Sequence, residues 1–415
     1  MKTSLSSLDI SFVRSHFPGL ESPWTFFDNA GGSQTLKEVT NRITDYLLNS
    51  NVQHGASYQV SQIAVNRVQQ ATEAMKVLVN ASDPQEIVMG PSTTALIRIL
   101  SICFGKTLKP DDEIIVSNSD HEANVSPWTD LEAQGIKVKI WKIRSDDFRF
   151  HLEDLELLMT EKTRLVAVTH TSNVLGTLNP IKEIARFVHK KGALICVDGV
   201  AHAPHKLIDV QDLDVDFYIF SFYKVYGPHY ALMYGKKEHL LSLPGINHYF
   251  IKSDDLPYKF QPGNVNFEFA YGMLGLWDYI EAVAAHHFPD THDNLREKAV
   301  RVYDLFNKHE ERLAQKFIDF LASKSSVRII GEPTGDRAVR VPTVCFVVEG
   351  MDSEEIVLKV DPHLIGIRWG DFYAKKLIHD LGLIPYNGVV RVSMVHYNSM
   401  EEVERLIQVL DRIIS

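Results

Sequence analysis

The chain has 415 residues, 45% of them hydrophobic and 23% charged, an ordinary globular composition in a chain too long for one hydrophobic core, so two domains are expected. A formal net charge of −10, with no Lys/Arg block to offset it, argues against nucleic acid or an anionic membrane surface as a partner. Met1-Lys2-Thr3-Ser4-Leu5 lacks the apolar run of a signal peptide, and no stretch reaches membrane-spanning length. Three cysteines make no disulfide framework, so a reducing, cytoplasmic setting is expected.

Between residues 86 and 235, apolar β-type runs alternate with amphipathic helical stretches. Strands are predicted at Glu86–Met89, Glu113–Ser117, Lys137–Ile143, Leu165–Thr169, Ala193–Val197, Phe217–Phe220 and Ala231–Tyr234. The helix Pro180–Lys191 ends at Gly192 in the manner of a C-cap. This alternation predicts βαβ units, hence a mostly parallel seven-stranded α/β sheet with ligands beyond the strands' carboxyl ends. After Pro262-Gly263, one long helix (Phe269–Ala285) leads to strands at Val327–Ile330 and Thr343–Val348 and a closing helix, Met400–Ile414. The expected division is a large domain over 21–265 and a smaller α+β domain over 266–415, on which residues 1–20 pack.

The chemistry-bearing residues fall at the predicted sheet edge. Lys224, in Ser221-Phe222-Tyr223-Lys224-Val225-Tyr226-Gly227-Pro228, lies between two apolar runs. A lysine there loses solvation, its pKa falls, and a neutral amine is what a Schiff base with an aldehyde cofactor requires. Asp198 ends the apolar run Ala193–Val197 and either caps the next helix or pairs with a pyridinium nitrogen. Ser92-Thr93-Thr94 opens a helix running to about Phe104, where hydroxyls and free N–H groups form a phosphate cup. His121, after Glu113–Ser117, can stack on a planar ring, and Asn173 can donate a hydrogen bond to a ring hydroxyl.

In order and spacing these pieces resemble the class V aminotransferase family of fold type I pyridoxal 5'-phosphate enzymes, cysteine desulfurases and selenocysteine lyases above all. The matching segments are Phe27-Asp28-Asn29-Ala30-Gly31-Gly32, Asp120-His121, Ser172-Asn173-Val174-Leu175-Gly176, Val197-Asp198-Gly199, the Ser221–Pro228 stretch and Val390-Arg391-Val392-Ser393. The resemblance implies that Lys224 holds the cofactor and moves protons, Asp198 binds the ring nitrogen and His121 stacks on the ring. It implies phosphate contacts from Thr93, Thr94, Ser221 and Tyr223, and places Asn173 by the ring hydroxyl or the substrate. Arg391 would clamp the substrate carboxylate, with Ala30 beside it, and a guanidinium offers two parallel donors for that purpose. The family is homodimeric, which would bring Asn264 to the partner's phosphate.

The departures carry information too. Phe222 and Tyr223 stand where relatives place a glycine and a histidine, and Ala201-His202 stand where the family often has glutamine. Desulfurases carry a mobile loop whose cysteine attacks the substrate sulfur. The corresponding stretch here, Gly366–Ala374, is shorter and has Tyr373 at about that position, while Cys103, Cys196 and Cys345 lie in apolar runs. Phe222, Tyr223, Trp369, Phe372 and Tyr373 suggest an aromatic-lined pocket. His286, His287 and His292, around Pro289-Asp290, match no metal-ligand spacing. The expectation is a cytoplasmic homodimer acting on a small amino acid by β-elimination, transamination or racemisation. The alternatives are a persulfide-forming desulfurase and a non-catalytic scaffold.

Overall fold

The computed structural model describes residues 7–289 and 292–414. The Met1–Leu5 segment and Asp290 of the histidine cluster lie outside them. The larger sheet has seven strands: β1 (Ile87–Gly90), β2 (Glu113–Ser117), β3 (Lys137–Trp141), β4 (Thr163–Thr169), β5 (Leu194–Asp198), β6 (Phe217–Ser221) and β7 (Ala231–Gly235). Their spatial order is β1-β7-β6-β5-β4-β2-β3, with β7 antiparallel to both neighbours. All seven lie where the apolar runs predict.

Six of them are apolar runs because both faces are covered, while the edge strand β3 keeps Lys137 and Lys139 towards solvent. In β4, Leu165 and Ala167 enter one core cluster while Val166 and Val168 enter the other, on the opposite face. The helix Ile181–Lys190 buries Ile181, Ile184, Ala185 and Val188, the stripe a 3.6-residue period produces, and Gly192 follows with φ +80°. Side chains two apart along a strand share a face. Thr169, Asp198 and Ser221 therefore join the face that carries Ala167, Cys196 and Ile219, under the helix Thr93–Gly105.

A second sheet is antiparallel, with order β10 (Arg368–Gly370), β11 (Val389–Ser393), β9 (Thr343–Val348) and β8 (Val327–Ile330), and has its own core with the helices Leu295–Ala322 and Met400–Ile413. Two expectations need correction. The helix expected over Phe269–Ala285 is two, Phe267–Gly272 and Leu274–His287, and Gly275 explains their position: a Cβ there would meet Val39 N at 2.4 Å. The N-terminal segment does not rest on the small sheet alone. Val13 and Phe17 join the large-sheet core, where Phe17 packs edge-on against Tyr226 and Tyr279, while Arg14 reaches Tyr397 O and Glu402.

Asp216 sets the register of the two strands that matter most. Its carboxylate accepts the N–H of Ile195 on β5 at 2.8 Å, just ahead of β6, and pairs with His189 at 2.8 Å and His239 at 3.0 Å. These hydrogen bonds outweigh burial and hold its pKa well below the usual carboxylate range, and the same partnership raises His189. A depressed carboxylate stabilises the fold above its unfolded pKa and loses that contribution as pH falls; a raised histidine stabilises below its unfolded pKa and loses it as pH rises through the folded value. Asp216→Asn is therefore expected to cost about 3 kcal/mol in urea unfolding at pH 6. The cost should shrink as pH falls from 5 towards 3, and a deficit that does not vary with pH would contradict the assignment.

Candidate active site

The carboxyl ends of β4, β5 and β6 and the start of the helix Thr93–Gly105 enclose a small cavity. Its wall includes Thr93, Thr94, His121, Asn173, Asp198, Ser221, Tyr223 and Lys224. Eight residues separated by up to 131 positions along the sequence, predicted singly, thus meet in one place.

Each is positioned by its neighbours. Lys224 ends a 3₁₀ turn (Phe222–Lys224) that follows β6 directly. Its amine is buried with no hydrogen bond or ion pair among the described residues, and it lies 5.7 Å from the centre of the Tyr223 ring. Burial above all, and then the Arg391 charge, lower its pKa to about 8, against smaller opposing effects of Asp198 and Asp28. Asp198 is buried at the end of β5, where Oδ1 accepts the Val200 N–H at 2.8 Å; burial raises its pKa to about 6. That hydrogen bond closes a turn and no helix follows it directly, so the helix-capping reading of Asp198 is corrected. The Asp-Gly sequence has a packing reason: a Cβ on Gly199 would sit 2.0 Å from the Tyr218 ring.

His121 accepts the Ala123 N–H through Nδ1 at 3.0 Å, which leaves its proton on Nε2. Burial and the nearby Lys224 lower its pKa to about 4, so it is an uncharged flat ring at neutral pH. Asp120 beside it ties three segments together, accepting from Ser117 Oγ, Asn124 Nδ2 and the Thr169 N–H. At the other end of the cavity, Thr93 Oγ1 and Ser221 Oγ lie 2.7 Å apart, and Ser92 caps the helix by accepting the Ala95 N–H. The first-turn N–H groups and these hydroxyls converge as an anion site needs.

Arg391 departs from the simple expectation. It is 2% exposed, and Nη2 donates to Asp28 Oδ1 at 2.9 Å while Nη1 donates to Asn173 O at 3.0 Å. The guanidinium also stacks 3.7 Å from the centre of the Phe372 ring, and Nε has no partner. It is a braced fork rather than a free one. Ala30 and Asn264 do not line this cavity: the Ala30 N–H donates to Ser393 Oγ at 2.8 Å, and Asn264 is exposed in its loop. Phe222 is a correction, since it is a core residue that packs on Phe220 and Tyr230. Trp369, Phe372 and Tyr373 border a neighbouring hollow of about 780 Å³. Thr169 and Thr171, which also line the cavity, were given no role because short polar side chains at strand ends carry no periodic signal.

The stretch Asp371–Ala374 is fastened to this site. Phe372 and Tyr373 take φ of +52° and +60°, strained values for such side chains. Phe372 O accepts from Asn173 Nδ2 at 2.9 Å, and Tyr373 O accepts the Glu122 N–H at 2.8 Å. The Tyr373 ring, itself 66% exposed, lies 5.1 Å from His121. The histidines at the C-terminal end of the helix Leu274–His287 are otherwise employed: His286 bonds Asp9 at 3.0 Å and stacks on Phe12, and His287 accepts the Asp9 N–H at 3.0 Å.

These residues fit a phosphorylated pyridine aldehyde. An unpaired buried amine, a buried carboxylate facing the same space, an anion site at a helix start and the sealed, partnerless Asn173 Oδ1 are complementary to its aldehyde, ring nitrogen, phosphate and hydroxyl. The family model for class-V aminotransferases matches residues 25–406. The aminotransferase-like protein FGM3 of Gibberella zeae is 42% identical over 99% of this chain and 100% of its own length. The cysteine desulfurase-like protein ustD of Aspergillus flavus is 34% identical over 98% and 91%. Among solved structures, the cysteine desulfurase CsdA of Escherichia coli matches at a TM-score of 0.83 and 26% identity, covering 98% of both chains. Fold, cavity and sequence agree that the chain belongs to the class-V aminotransferase family of pyridoxal phosphate enzymes.

Proposed function

We propose that this chain acts on a small amino acid by lyase or transferase chemistry that needs no cysteine persulfide. The observation that carries the reading is Lys224, an amine held near neutrality inside a closed wall that also presents Asp198 and an anion site. Bound there, the cofactor supplies an electron sink for the charge left when a bond at the amino acid's Cα breaks.

The chain's own residues do the rest. Lys224, with a pKa of about 8, is neutral in roughly a tenth of molecules at pH 7, far more often than an ordinary lysine, and that neutral amine can attack an aldehyde or take a proton. Asp198 titrates at about 6 with only Lys224 as a nearby cation, so a protonated ring nitrogen against it would hold it ionised. His121 offers a flat uncharged face, and Thr93, Thr94, Ser221 and Tyr223 offer donors to a phosphate. A substrate carboxylate reaches Arg391 by taking over the Nη2 contact now held by Asp28, whose side chain is 34% exposed and free to swing outward. Exposed Asn264 is assigned to the site of a second copy of the chain in a homodimer.

The persulfide route finds no support. A persulfide carrier needs a thiolate that reaches both substrate and acceptor. Cys103, Cys196 and Cys345 are all buried, and burial pushes their thiols up, to about 11 for Cys103 and about 12 for Cys345. The loop offers Tyr373, whose carbonyl is held by the Glu122 N–H and whose ring lies beside His121, in the place of a mobile cysteine.

Lys224→Ala is expected to abolish turnover and the yellow colour while melting like wild type, and borohydride reduction of the wild-type enzyme should label Lys224. A stable label on another lysine would refute the assignment. Because the reactive form is the neutral amine, loading of the cofactor-free chain should accelerate as pH rises and reach half its maximum near pH 8, well below the ordinary lysine range. Asp198→Asn should retain the cofactor yet lose roughly a thousandfold or more in kcat, since it removes an interaction that matters only when charge develops. Activity within a few-fold of wild type would reduce Asp198 to a turn residue.

The triple variant Cys103→Ser, Cys196→Ala, Cys345→Ala should keep its activity towards L-cysteine, if wild type has any, with sulfur leaving as sulfide. A persulfide on one of these cysteines by mass spectrometry, lost together with activity in the variant, would restore the desulfurase assignment.

A further inference from the structure

Behind one wall of the cavity lies a groove of about 1610 Å³, bordered by Arg149–His151, the start of the helix Ile181–Lys190 and Arg337–Val339. Two histidines form part of its floor. His170 and His202 are 8% and 5% exposed, and their rings stack at 3.5 Å with an angle of 9°. Each is tied inward through Nδ1, His170 to the Tyr218 hydroxyl at 2.9 Å and His202 to Thr171 Oγ1 at 3.1 Å. Thr171 in turn lines the cavity that holds Lys224 and Asp198. The partition between cavity and groove is thus crossed by one hydroxyl and one imidazole in hydrogen-bond contact. Ala201, between His202 and the cavity, adds only a methyl group to that wall.

The simplest alternative is that His202 is packing. A packing histidine in this chain looks different. His396, also buried, has both nitrogens satisfied, Nδ1 by the Tyr226 hydroxyl at 3.0 Å and Nε2 by the Tyr279 hydroxyl at 2.7 Å. His202 has a protein partner only at Nδ1 among the described residues, and the ring it exposes belongs to the groove.

We infer that Thr171 and His202 form a proton path between the groove and the cofactor cavity. The inference rests on the cofactor reading above. In the inward step a groove water gives a proton to Nε2, the Nδ1 proton passes to Thr171 Oγ1, and the hydroxyl proton passes to a basic atom of the bound ligand. One proton enters and one leaves, and the imidazole ends neutral as the other tautomer. The reverse sequence withdraws the proton later in the same turnover, so the path resets itself. Burial first, then His170, Lys206 and His205, lower the pKa of His202 far below the usual histidine range, so it conducts by exchanging tautomers rather than by storing charge.

The test uses the loaded enzyme and follows exchange of solvent deuterium into Cα of L-alanine by proton NMR. His202→Ala and Thr171→Val should each slow exchange about tenfold or more, with the half-saturating alanine concentration within about twofold of wild type. Added imidazole, entering from the groove, should restore His202→Ala but not Thr171→Val. Equal rates in all three proteins overturn the path, as does a loss in His202→Ala that imidazole leaves unchanged. His202→Asn separates relay from folding, since it keeps a hydrogen bond to Thr171 but carries no proton. It should melt like wild type and remain slow, and wild-type exchange in it overturns the path. Nitrogen-15 spectra of the cofactor-free chain decide independently. There the Nδ1 signal of His202 should move in Thr171→Val, and its Nε2 proton should exchange with water within milliseconds. An Nε2 proton protected for minutes overturns the path. Failure of the wild-type enzyme to exchange deuterium into alanine would instead count against the function proposed above.

Discussion

Lowering the pKa of an amine inside a folded protein requires that little polar be allowed to satisfy it as an ammonium, and the architecture around Lys224 is arranged to that end. The residue leaves β6 in a 3₁₀ turn, and two positions later Tyr226 adopts φ +61°. That conformation is held by the Tyr226 hydroxyl, which donates to Pro204 O and accepts from His396, itself bonded to Tyr279. A buried network of this kind is stable only when every member is satisfied. Here it joins the lysine turn to the C-terminal region and to the helix Leu274–His287, and so fixes the backbone from which the Lys224 side chain departs. Asp216 applies the same constraint from the opposite end of β5 and β6.

The opposed shifts of Lys224 and Asp198 have one physical origin. Both are dominated by burial, which pushes an amine down and a carboxyl up, and the two values approach each other from 10.5 and 3.8 to about 8 and about 6. A direct salt bridge would have moved them apart. The cavity therefore holds both groups ready for a ligand instead of spending them on each other, and a perturbed pair of this kind in a cleft is the pattern expected of a functional site.

Much of this was legible in the residues. Six of the seven strands announce themselves because a strand covered on both faces must be apolar throughout, and Asp198 and Ser221 end two such runs. What the sequence could not reveal are contacts across long separations. Arg391 and Asp28 are 363 positions apart, and nothing local says that one braces the other or that Phe372 lies against the guanidinium. Phe222 reads as a pocket residue only because it adjoins Tyr223; the turn sends neighbouring side chains in opposite directions, one to the core and one to the cavity. The boundary at Met273 was hidden because the residues on both sides continue the same helical pattern and Met273 itself keeps a right-handed helical conformation.

The pairing of Asp28 with Arg391 has a bearing on selectivity. Arg368 also approaches Asp28, at 3.6 Å, so the aspartate sits between one buried and one half-exposed guanidinium. A visiting carboxylate that displaces it substitutes one anion for another at a site already shaped to accept oxygen, and the released aspartate still has Arg368 to follow. Recognition then becomes an exchange of partners instead of a new attraction. On the binding mode proposed above, an amine that carries no acid group would have nothing to exchange and would leave the Asp28–Arg391 pair closed.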